Sequence, residues 1–563
     1  MVKLTIDGNA ITAEDGTSIL DAAMAADINI PTLCYLKDIC EVGACRICAI
    51  EVEGNDNLTA ACNIVVEDGM TITTNSSRVI NARRVNVELA LSAHNADCTS
   101  CERNLNCNLQ SLSKDLNIAD APYDKKLNFN NWSNDFPLIR DNLKCITCMR
   151  CINICEKVQS LGVWDTRGQA SYLNVNVADG KKIENSNCSI CGQCVLGCPV
   201  GALCARDDTA KVFEALQDPD TIVSVQIAPA IRTAWGEDIG LNRDNATVGR
   251  MVAAARALGA DYVFDTCFSA DLTIMEEGAE LLEMLSKKEM LFTSCCPGWV
   301  RFAKSEYPEF VSNISTVKSP MQIFGAALKS WFAKRNSVDP AKIFNVAIMP
   351  CIAKKDECTI PSMKNDVDAV ITTREFIKML KISNINVNTL KDENFDDIMG
   401  TSTGAGFIFG TSGGVAEALL RHTHYLVTGK NPTDDAYYSL NATSDVTEIT
   451  ADLGGTFVKA AVVSGLANAR KLMEKIKSGK ANYDFVEVMA CPGGCLGGGG
   501  QPISCNLNGL NDVNEERLPI LRNLDKDASI RFSHDNPSIK KAYEEFFEKP
   551  LSQKAYELLH VKH

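Results

Sequence analysis

The segment Tyr483–Pro502 reads YDFVEVMACPGGCLGGGGQP, and it begins as a short apolar run with the pattern of a buried strand. Cys491 and Cys495 follow that run and stand among glycines. Because glycine has no side chain, such a loop lets the backbone approach a bulky ligand closely and offers it N–H groups. A phosphate loop is the alternative for GGGG and for TSGGV at 411–415, but neither has the Gly-Lys-Ser/Thr ending. The segment therefore predicts a strand that ends at a bulky ligand other than phosphate.

Two further segments repeat this pattern, MLFTSCCPGW at 290–299 and FNVAIMPCIAKKDE at 344–357. In open α/β sheets, ligands bind beyond the carboxyl ends of parallel strands, so three converging ends would bring four cysteines to one place. These cysteines are Cys296, Cys351, Cys491 and Cys495. One motif alone would favour a scattered structural cysteine, but three at equivalent strand ends favour thiolates that hold a 4Fe–4S cluster.

The residues expected to face this site are small or apolar. They are Ala228, Pro229, Ala230, Pro320, Met321, Phe324, Met349, Gly410 and Met489. A pocket of this kind suits a cofactor with its own non-protein ligands and a very small substrate, and it does not suit a sugar or a peptide.

The chain after about residue 210 has the pattern of α/β architecture. Strand-like runs such as TIVSVQIAP alternate with helical runs such as GRMVAAARALG and with a helix expected near 271–286. This predicts a large two-lobed α/β catalytic domain over 209–563 with mostly parallel sheets. The charged tail beyond 535 is predicted to be helical, and no chemistry is evident in it.

Composition narrows the class of protein. The 563 residues suggest about four domains, and the net charge of −15 disfavours nucleic acid and anionic membranes as partners. We see no bilayer-spanning run and no signal or transit segment, so we expect a cytoplasmic protein. In a reducing compartment, 25 cysteines in tight clusters indicate iron–sulfur clusters rather than disulfides.

Two cysteine runs with the spacing x2, x2, x3 occupy the predicted two-cluster ferredoxin-like domain at 126–208, whose first residues, 126–140, have the composition of a linker. In this spacing three thiolates bind one cubane and the fourth binds the other, which excludes paired-cysteine zinc knuckles. We therefore expect one 4Fe–4S cluster on Cys145, Cys148, Cys151 and Cys198, and a second on Cys188, Cys191, Cys194 and Cys155.

Residues 1–80 are predicted to form a β-rich, 2Fe–2S ferredoxin-like domain of the β-grasp type. Strand alternation in VKLTI, a turn at Asp7-Gly8 and a helix capped at Thr17-Ser18 give its outline. The plant-type spacing alone selects Cys40, Cys45, Cys48 and Cys62. The sequences PTLCYL and VGACRICAIEVEG, however, resemble the N-terminus shared by hydrogenases and the large iron–sulfur subunit of respiratory complex I, and this resemblance implies Cys34 in place of Cys40.

Residues 81–125 begin with a helical pattern that leads to His94, Cys98, Cys101 and Cys107. By itself this set fits zinc and a His-ligated 4Fe–4S cluster equally well. Its position between two iron–sulfur modules favours the Cys3His 4Fe–4S domain. The chain is therefore predicted to be multidomain, α/β and α+β, with four accessory clusters that pass single electrons.

The segments TSCCPGW, MPCIAKKDE and EVMACPGGCLGGGGQP resemble the three signature segments of the FeFe hydrogenases, and the resemblance extends over essentially the whole chain. It implies an H-cluster, in which a 4Fe–4S cubane joins a two-iron unit that bears CO, cyanide and a bridging azadithiolate. It also implies that Cys495 is the bridging thiolate and that Cys296, Cys351 and Cys491 bind the cubane only.

The same resemblance implies a proton path from Cys295 through Glu277, Glu280 and Ser315. A thiol pKa near 8.5 suits proton transfer, and Glu277 and Glu280 share a helix face. Without the motif, both glutamates would be read as exposed. Lys354 is expected to donate a charge-assisted hydrogen bond to a cyanide nitrogen, a solvated surface lysine being the alternative, and Ala228-Pro229 to line the other cyanide. Met321 departs from the family, where a polar residue is frequent.

The expected activity is reversible H₂ formation, 2H⁺ + 2e⁻ ⇌ H₂, with ferredoxin or a similar small carrier as electron partner and with maturation proteins supplying the two-iron unit. An iron–sulfur sensor or assembly relative is the first alternative, but such relatives tend to lose the proton-carrying cysteine, which is present here as Cys295. An electron-transfer subunit of an NADH-linked complex is the second, and it leaves the three rear motifs unexplained.

Overall fold

The structure is a computed structural model that describes residues 1–127, 129, 131–169, 172–433, 436–441, 446–504 and 514–563. It divides into two compact units. Among the described residues, the first unit contains 1–186, 193–204 and 503–504, and the second contains 187–192, 205–502 and 514–563. None of the described helices is both long and apolar enough to cross a membrane.

The first unit opens with a five-stranded sheet and one helix. Its elements are β1 (Val2–Ile6), β2 (Asn9–Ala13), α1 (Ile19–Ala25), β3 (Ala49–Val52), β4 (Thr59–Ala60) and β5 (Thr71–Thr73). The strand order is β2-β1-β5-β3-β4, and β1 pairs with β5 in parallel. The predicted hairpin and helix are confirmed, and the Ser18 side chain caps α1 by accepting the N–H of Asp21.

The remainder of the first unit is made of short elements between cysteine loops. They are α2 (Ser77–Ser92), α3 (Asn108–Asp115), β6 (Leu138–Arg140), α4 (Arg150–Asn153), β7 (Trp164–Arg167), β8 (Asn174–Val177), α5 (Gln193–Gly197) and β9 (Leu203–Ala205). The predicted linker at 126–140 is wrong at its end, because β6 pairs with β9 there and Trp132 donates its indole N–H to the Leu138 carbonyl. Asn128 and Asn130, also in that stretch, lie outside the described residues.

The second unit alternates strands and helices, as the sequence predicts. Its elements are α6 (Thr209–Gln217), β10 (Ile222–Ile227), α7 (Val248–Ala257), β11 (Tyr262–Asp265), α8 (Thr266–Lys287), β12 (Leu291–Phe292), α9 (Pro297–Glu306), α10 (Pro320–Ala327), α11 (Ala333–Arg335), β13 (Ile343–Met349), α12 (Lys354–Glu357), β14 (Ala369–Thr372), α13 (Thr373–Ile382), α14 (Gly404–Ile408), α15 (Gly414–Thr428), β15 (Val446–Asp452), β16 (Phe457–Ser464), α16 (Leu466–Lys477), β17 (Phe485–Met489), α17 (Asn514–Asp527), α18 (Pro537–Ala542) and α19 (Gln553–Leu559).

Two four-stranded sheets organise the second unit. The first has the order β11-β10-β13-β14 and is parallel throughout. The second has the order β12-β17-β16-β15, and only β15 runs antiparallel. Buried apolar residues cover both sheets, which explains the near-continuous hydrophobic runs of their strands. The mostly parallel architecture is therefore confirmed.

Helix α8 begins earlier than the sequence predicts, at Thr266 instead of near residue 271. Asp265 ends β11 and caps the helix, because its carboxylate accepts the N–H of Cys267 at 2.9 Å. The apolar run that follows Asp265 hides this immediate change from strand to helix. The predicted helical tail is confirmed by α18 and α19.

Candidate active site

The three cysteine-bearing strand ends of the second unit surround one cavity of about 80 Å³, which we call the strand-end cavity. Its lining residues are Ala228, Pro229, Ala230, Thr266, Ala270, Cys295, Cys296, Pro297, Pro320, Met321, Met349, Pro350, Cys351, Lys354, Phe409, Gly410, Met489 and Cys495. Strand β13 belongs to one sheet and β12 and β17 to the other, so the cavity draws on the strand ends of both sheets.

The predicted apolar lining is present, with one exception. Phe324 does not line the cavity, because it lies one turn further along α10 and packs against Phe264 with ring centroids 5.7 Å apart. The other predicted residues, from Ala228 through Met489, all face the cavity. Met321 is among them and is buried, so an apolar side chain occupies the position where the family frequently has a polar one.

Four thiols from distant segments meet at this cavity. Cys296, Cys351 and Cys495 line it, and the charge of each would act on Cys491, which lies beside them. The Ala490 N–H points at the Cys296 sulfur at 3.4 Å. The structure therefore brings together the cysteines that the strand-end motifs predict.

Burial raises the pKa of all four thiols, and the pKa of Cys351 reaches about 11. The neighbouring Cys296 thiolate raises the pKa of Cys351 further, because like charges repel in a dry site. Without a metal, four thiols in a water-poor cavity stay protonated. Bound iron ions favour the thiolate form instead, because their positive charge stabilises the negative sulfur. The donor set fits an iron–sulfur cluster on these grounds.

The glycines after Cys495 allow two cysteine segments to approach each other. A Cβ atom on Gly498 would stand 2.2 Å from the carbonyl oxygen of Pro350, the residue before Cys351. Gly494 has a φ of +83°, and a Cβ there would stand 2.6 Å from the backbone nitrogen of Ser412. A larger residue at position 498 would push the loop after β17 away from the end of β13, and one at position 494 would push it away from the segment at 410–412.

A chain of acidic and hydroxyl groups leads away from Cys295 along α8. Burial, and then the Glu277 carboxylate, raise the pKa of the Cys295 thiol. Glu277 is buried, its Oε2 atom has no hydrogen-bond partner, and burial and then Glu280 raise its pKa to about 8. The Ser315 hydroxyl donates to Glu280 and also interacts with Glu277. The alternative of exposed glutamates is therefore wrong for Glu277.

Lys354 lines the cavity and is buried, so the alternative of a surface lysine is also wrong. Its ammonium donates to the Cys295 carbonyl at 3.1 Å and to Glu357 at 2.8 Å. Burial acts to lower the pKa of Lys354, but the Glu357 carboxylate outweighs it and the pKa is raised. The side chain thus stays charged beside the cavity, with a donor left for an acceptor bound there.

In the first unit, the N-terminal cysteines form two interacting pairs. Cys34 contacts Cys45, and Cys48 contacts Cys62. The Cys40 thiol lies 3.7 Å from both the Cys148 carbonyl and the Asn153 amide nitrogen, and it belongs to neither pair. The pairing agrees with the set that contains Cys34.

The second predicted set also lies together. His94, Cys98, Cys101 and Cys107 line one small cavity of about 10 Å³. The Nδ1–H group of His94 donates to the Lys144 carbonyl at 2.8 Å, and burial lowers its pKa. This arrangement holds a neutral ring whose Nε2 lone pair is available to a metal.

The two predicted cysteine sets of the ferredoxin-like runs differ in their placement. Cys145, Cys148, Cys151 and Cys198 line one cavity of about 20 Å³ in the first unit, which is the grouping predicted for one cubane. Of the other predicted set, Cys155 and Cys194 belong to the first unit, and Cys188 and Cys191 belong to the second.

Comparison with known proteins places this geometry in a family. Residues 221–499 match the iron only hydrogenase large subunit, C-terminal domain, and 511–563 match the iron hydrogenase small subunit. Residues 1–77 match a 2Fe-2S iron-sulfur cluster binding domain, and 83–122 match the NADH-ubiquinone oxidoreductase-G iron-sulfur binding region.

Relatives match over the full length. The NADP-reducing hydrogenase subunit HndD of Solidesulfovibrio fructosivorans is 42% identical over 100% of this chain and 98% of its own. Iron hydrogenase 1 of Clostridium pasteurianum is 36% identical over 100% of both chains. The chain belongs to the FeFe hydrogenases. The solved apo structure of FeFe-hydrogenase HydA1 from Chlamydomonas reinhardtii is 36% identical to this hydrogenase, with a TM-score of 0.55 over 63% of this chain and 98% of that one.

Members of this family are oxidoreductases that act on H₂, and this hydrogenase combines an H-cluster domain with domains that bind 2Fe–2S and 4Fe–4S clusters. The predicted family and enzyme class are confirmed, as is the mixed α/β multidomain fold with an N-terminal 2Fe–2S ferredoxin-like domain.

Sequence reasoning missed one residue of the hydrogenase site, Arg517 of α17. Its guanidinium donates to the carbonyl oxygens of Leu496 at 3.0 Å and Pro502 at 3.3 Å, and it forms a two-point ion pair with Glu237. Leu496 directly follows Cys495, so the hydrogen bonds from Arg517 hold the glycine-rich loop against α17. The residues around Arg517 form no motif, and only the fold brings them together.

Proposed function

We propose that this chain catalyses 2H⁺ + 2e⁻ ⇌ H₂ at the strand-end cavity. The observation that carries the proposal is the meeting of four buried thiols, from three strand ends, at one small apolar cavity that also presents Cys295 and Lys354. The cavity has room for little beyond a cofactor and a substrate of the size of H₂.

In this proposal Cys296, Cys351 and Cys491 would hold the 4Fe–4S cubane, and Cys495 would be the thiolate shared with the two-iron unit that has CO, cyanide and azadithiolate ligands. When bound, that cofactor supplies the site for heterolytic H₂ chemistry and the electrons for it. Lys354 donates to a cyanide nitrogen, and the apolar side chains from Met321 and Met349 exclude water from the cavity.

The proton moves through groups of the chain itself. Cys295 exchanges it at the cavity wall, Glu277 receives it in the interior, and the Ser315 hydroxyl passes it to Glu280. The unpartnered Oε2 of Glu277 supports this role, because a buried carboxyl with a raised pKa holds a proton near neutral pH and can release it.

The electrons move through accessory clusters in domains at 1–80, 81–125 and 126–208, ahead of a two-lobed catalytic domain at 209–563. We propose one 2Fe–2S and three 4Fe–4S clusters. Their ligands are Cys34, Cys45, Cys48 and Cys62; His94, Cys98, Cys101 and Cys107; Cys145, Cys148, Cys151 and Cys198; and Cys155, Cys188, Cys191 and Cys194. The shared cavities and thiol pairs described above support the first three sets.

We further propose that the enzyme works in the cytoplasm, receives its two-iron unit from maturation proteins and exchanges electrons with ferredoxin or a similar small carrier. The printed name of the HndD relative, an NADP-reducing hydrogenase subunit, supports a second possibility, in which the chain passes electrons to a nicotinamide-linked partner subunit. The two partners are distinguished by measuring H₂ oxidation with ferredoxin and with NADP⁺ plus candidate subunits.

Infrared spectroscopy of the anaerobically matured protein tests the proposed activity. We expect bands of bound CO and cyanide together with H₂ evolution from a reduced dye. A preparation with full iron and these bands, but without H₂ evolution, would support a sensor instead. A preparation with full iron and no such bands would contradict the H-cluster assignment.

A further inference from the structure

The hydrogen-bond chain that reaches Glu280 continues into the C-terminal segment. Glu280 Oε1 accepts the Thr316 N–H at 2.9 Å and the Thr316 hydroxyl at 2.7 Å. The same hydroxyl oxygen lies 2.8 Å from Nδ1 of His560, and Nε2 of His560 lies 3.1 Å from a carboxylate oxygen of Glu276. Thr316 and His560 thus connect two carboxylates that lie one turn apart on α8.

The backbone holds this connection in place. The N–H of Lys318 donates to the Leu559 carbonyl at 2.8 Å, and the N–H of Val561 donates to the Thr316 carbonyl at 2.7 Å. Val317 and His560 form an antiparallel bridge between these bonds. The distance from the Thr316 hydroxyl to the His560 ring is therefore set by main-chain pairing and does not depend on side-chain packing alone.

Counting protons shows what the arrangement can do. The Thr316 hydroxyl has one proton and two neighbours that can accept it, Glu280 and His560 Nδ1. If Glu280 is ionised, Thr316 donates to it and accepts from Nδ1–H of a cationic His560. If Glu280 is protonated, it donates to Thr316, which in turn donates to Nδ1 of a neutral His560. Both arrangements satisfy every hydrogen bond, and they differ only by the position of one proton.

We propose that Thr316 and His560 extend the proton path beyond Glu280, so that the C-terminal segment carries protons between the Glu280 and Glu276 carboxylates. The inference rests on the proposed function of the Cys295–Glu280 path. A proton leaves the Glu280 carboxyl for Thr316 Oγ1 as the Thr316 proton moves to His560 Nδ1, and the Nε2–H proton of His560 then moves to the Glu276 carboxylate. No other bond forms or breaks, and no electron moves.

The surroundings of His560 support a ring that changes its charge. Glu276 receives the Nε2–H, and it also accepts from the Tyr543 hydroxyl and the Leu551 N–H. The His560 ring stacks on Tyr556, with centroids 4.8 Å apart. The charged and titratable groups nearest to His560 in the surrounding elements are Glu276 and Glu280 of α8, Tyr543, Tyr556, His563, which donates to the Ser315 carbonyl, and Lys318, which pairs with Asp366.

The test compares His560→Gln and Thr316→Val in the matured full-length enzyme. Glutamine has a similar size and a polar amide but cannot carry the proton, and valine removes the Thr316 hydroxyl. We therefore expect H₂ evolution from reduced dye to fall about tenfold in each variant. Added imidazole should restore activity in His560→Ala. His424→Gln is the matched control, since His424 lies outside the path and hydrogen-bonds to Tyr437. Unchanged CO and cyanide bands would show that the cavity is intact.

A second readout does not depend on turnover. The chain has only six histidines, so ¹⁵N-histidine labelling and the His560→Gln spectrum identify the His560 ring signals. Because the Thr316 hydroxyl links the ring to the Glu280 carboxyl by hydrogen bonds, Glu280→Gln should shift the His560 ring ¹⁵N signals. Identical His560 ring signals in wild type and Glu280→Gln would overturn the inference, as would full activity of both path variants. Failure of the proposed function would instead appear as wild-type enzyme without H₂ evolution.

Discussion

The cysteine sites of the first unit and the strand-end cavity of the second use the same thiol chemistry but are encoded differently. In the first unit, Cys145, Cys148 and Cys151 lie within one turn-sized stretch, so their spacing alone indicates their common target. In the second unit, Cys296 and Cys495 are almost two hundred positions apart and meet because they follow the adjacent parallel strands β12 and β17, and Cys351 joins them from the end of β13 in the other sheet. Local spacing specifies the first kind of site, whereas the fold specifies the second.

This difference has a consequence for robustness. A local site needs only a short loop, and its loss leaves the rest of the molecule's chemistry in place. A site assembled from distant strand ends depends on every segment that contributes a residue to it. The same segments enclose an apolar cavity, which a short loop cannot do. Substitutions in the two kinds of site should therefore have effects of different size.

The largest effect is expected for Cys351→Ala. Removing one of the four cavity thiols should lower H₂ evolution by more than about 10³-fold. It should also remove the CO and cyanide bands, since the cofactor loses one of its few protein ligands. Cys98→Ala in the first unit should leave those bands present and should slow turnover with a protein carrier more than turnover with a dye.

Cys358→Ala is the matched control for Cys351→Ala, because Cys358 is a half-buried thiol of the second unit that does not line the cavity. It should keep both bands and activity. If Cys351→Ala retained the bands, the distinction between a local and an assembled site would not hold.

Cys295→Ala should have the next largest effect, and it separates proton transfer from cofactor binding. The bands should remain, because Cys295 is not among the proposed ligands, while turnover should fall at least about 10²-fold, the usual contribution of a positioned acid–base group. The comparison of bands with rate in the same sample provides the measurement. Unchanged turnover in this variant would refute the role of the Cys295 thiol in the proton path.

The sequence predicted most of the cavity because its strand-end cysteines and small apolar residues have recognisable patterns. It could not predict the partners that only tertiary folding supplies. Phe324 has the same apolar character as Met321 but packs against Phe264, and no periodicity distinguishes the two. His560 lies in a tail without any motif, yet it reaches Thr316 across 244 positions of sequence.

The start of α8 and the choice between Cys34 and Cys40 show the same limit at smaller scale. The capping side chain of Asp265 could be recognised only once β11 was known to end there. The spacing of the N-terminal cysteines favours Cys40, while in the structure Cys45 pairs with Cys34 and the Cys40 thiol contacts the Cys148 carbonyl and the Asn153 amide. For α8 the local rule was correct in kind and the end of β11 decided the position, whereas for the proposed 2Fe–2S ligands the thiol pairing supports Cys34.

Arg517→Met should have an intermediate effect, because it loosens the glycine-rich loop without removing a ligand. The variant loses the bonds to Leu496 and Pro502 and leaves Glu237 without its partner, so we expect about 2 kcal/mol lower stability and a several-fold lower rate of H₂ evolution. Thermal unfolding and dye-coupled turnover measure the two effects.

Arg243→Met is the control for Arg517→Met. Arg243 pairs with Glu516 at the surface, and both side chains are more than half exposed, so water screens the pair and its loss should change stability by less than about 0.5 kcal/mol. Equal losses in the two arginine variants would show that the contacts to the loop carbonyls do not matter.

The last comparison concerns the pH dependence of stability, and it distinguishes the two units again, since both acids whose pKa burial raises to near neutral belong to the second. Burial raises the pKa of Glu277 to about 8 and that of Glu487 to about 7. Both acids therefore bind a proton in the folded state where the unfolded chain has lost it, so stability is greatest at low pH and declines as pH rises from about 5 towards 8. Glu277→Gln should reduce the pH dependence of the unfolding free energy by up to about 1.4 kcal/mol per pH unit, the contribution of one bound proton. Urea unfolding at pH 5, 6, 7 and 8 gives the slope, with the exposed Glu516→Gln as control, and an unchanged slope in Glu277→Gln would mean that the carboxyl is ionised in the folded enzyme throughout this range.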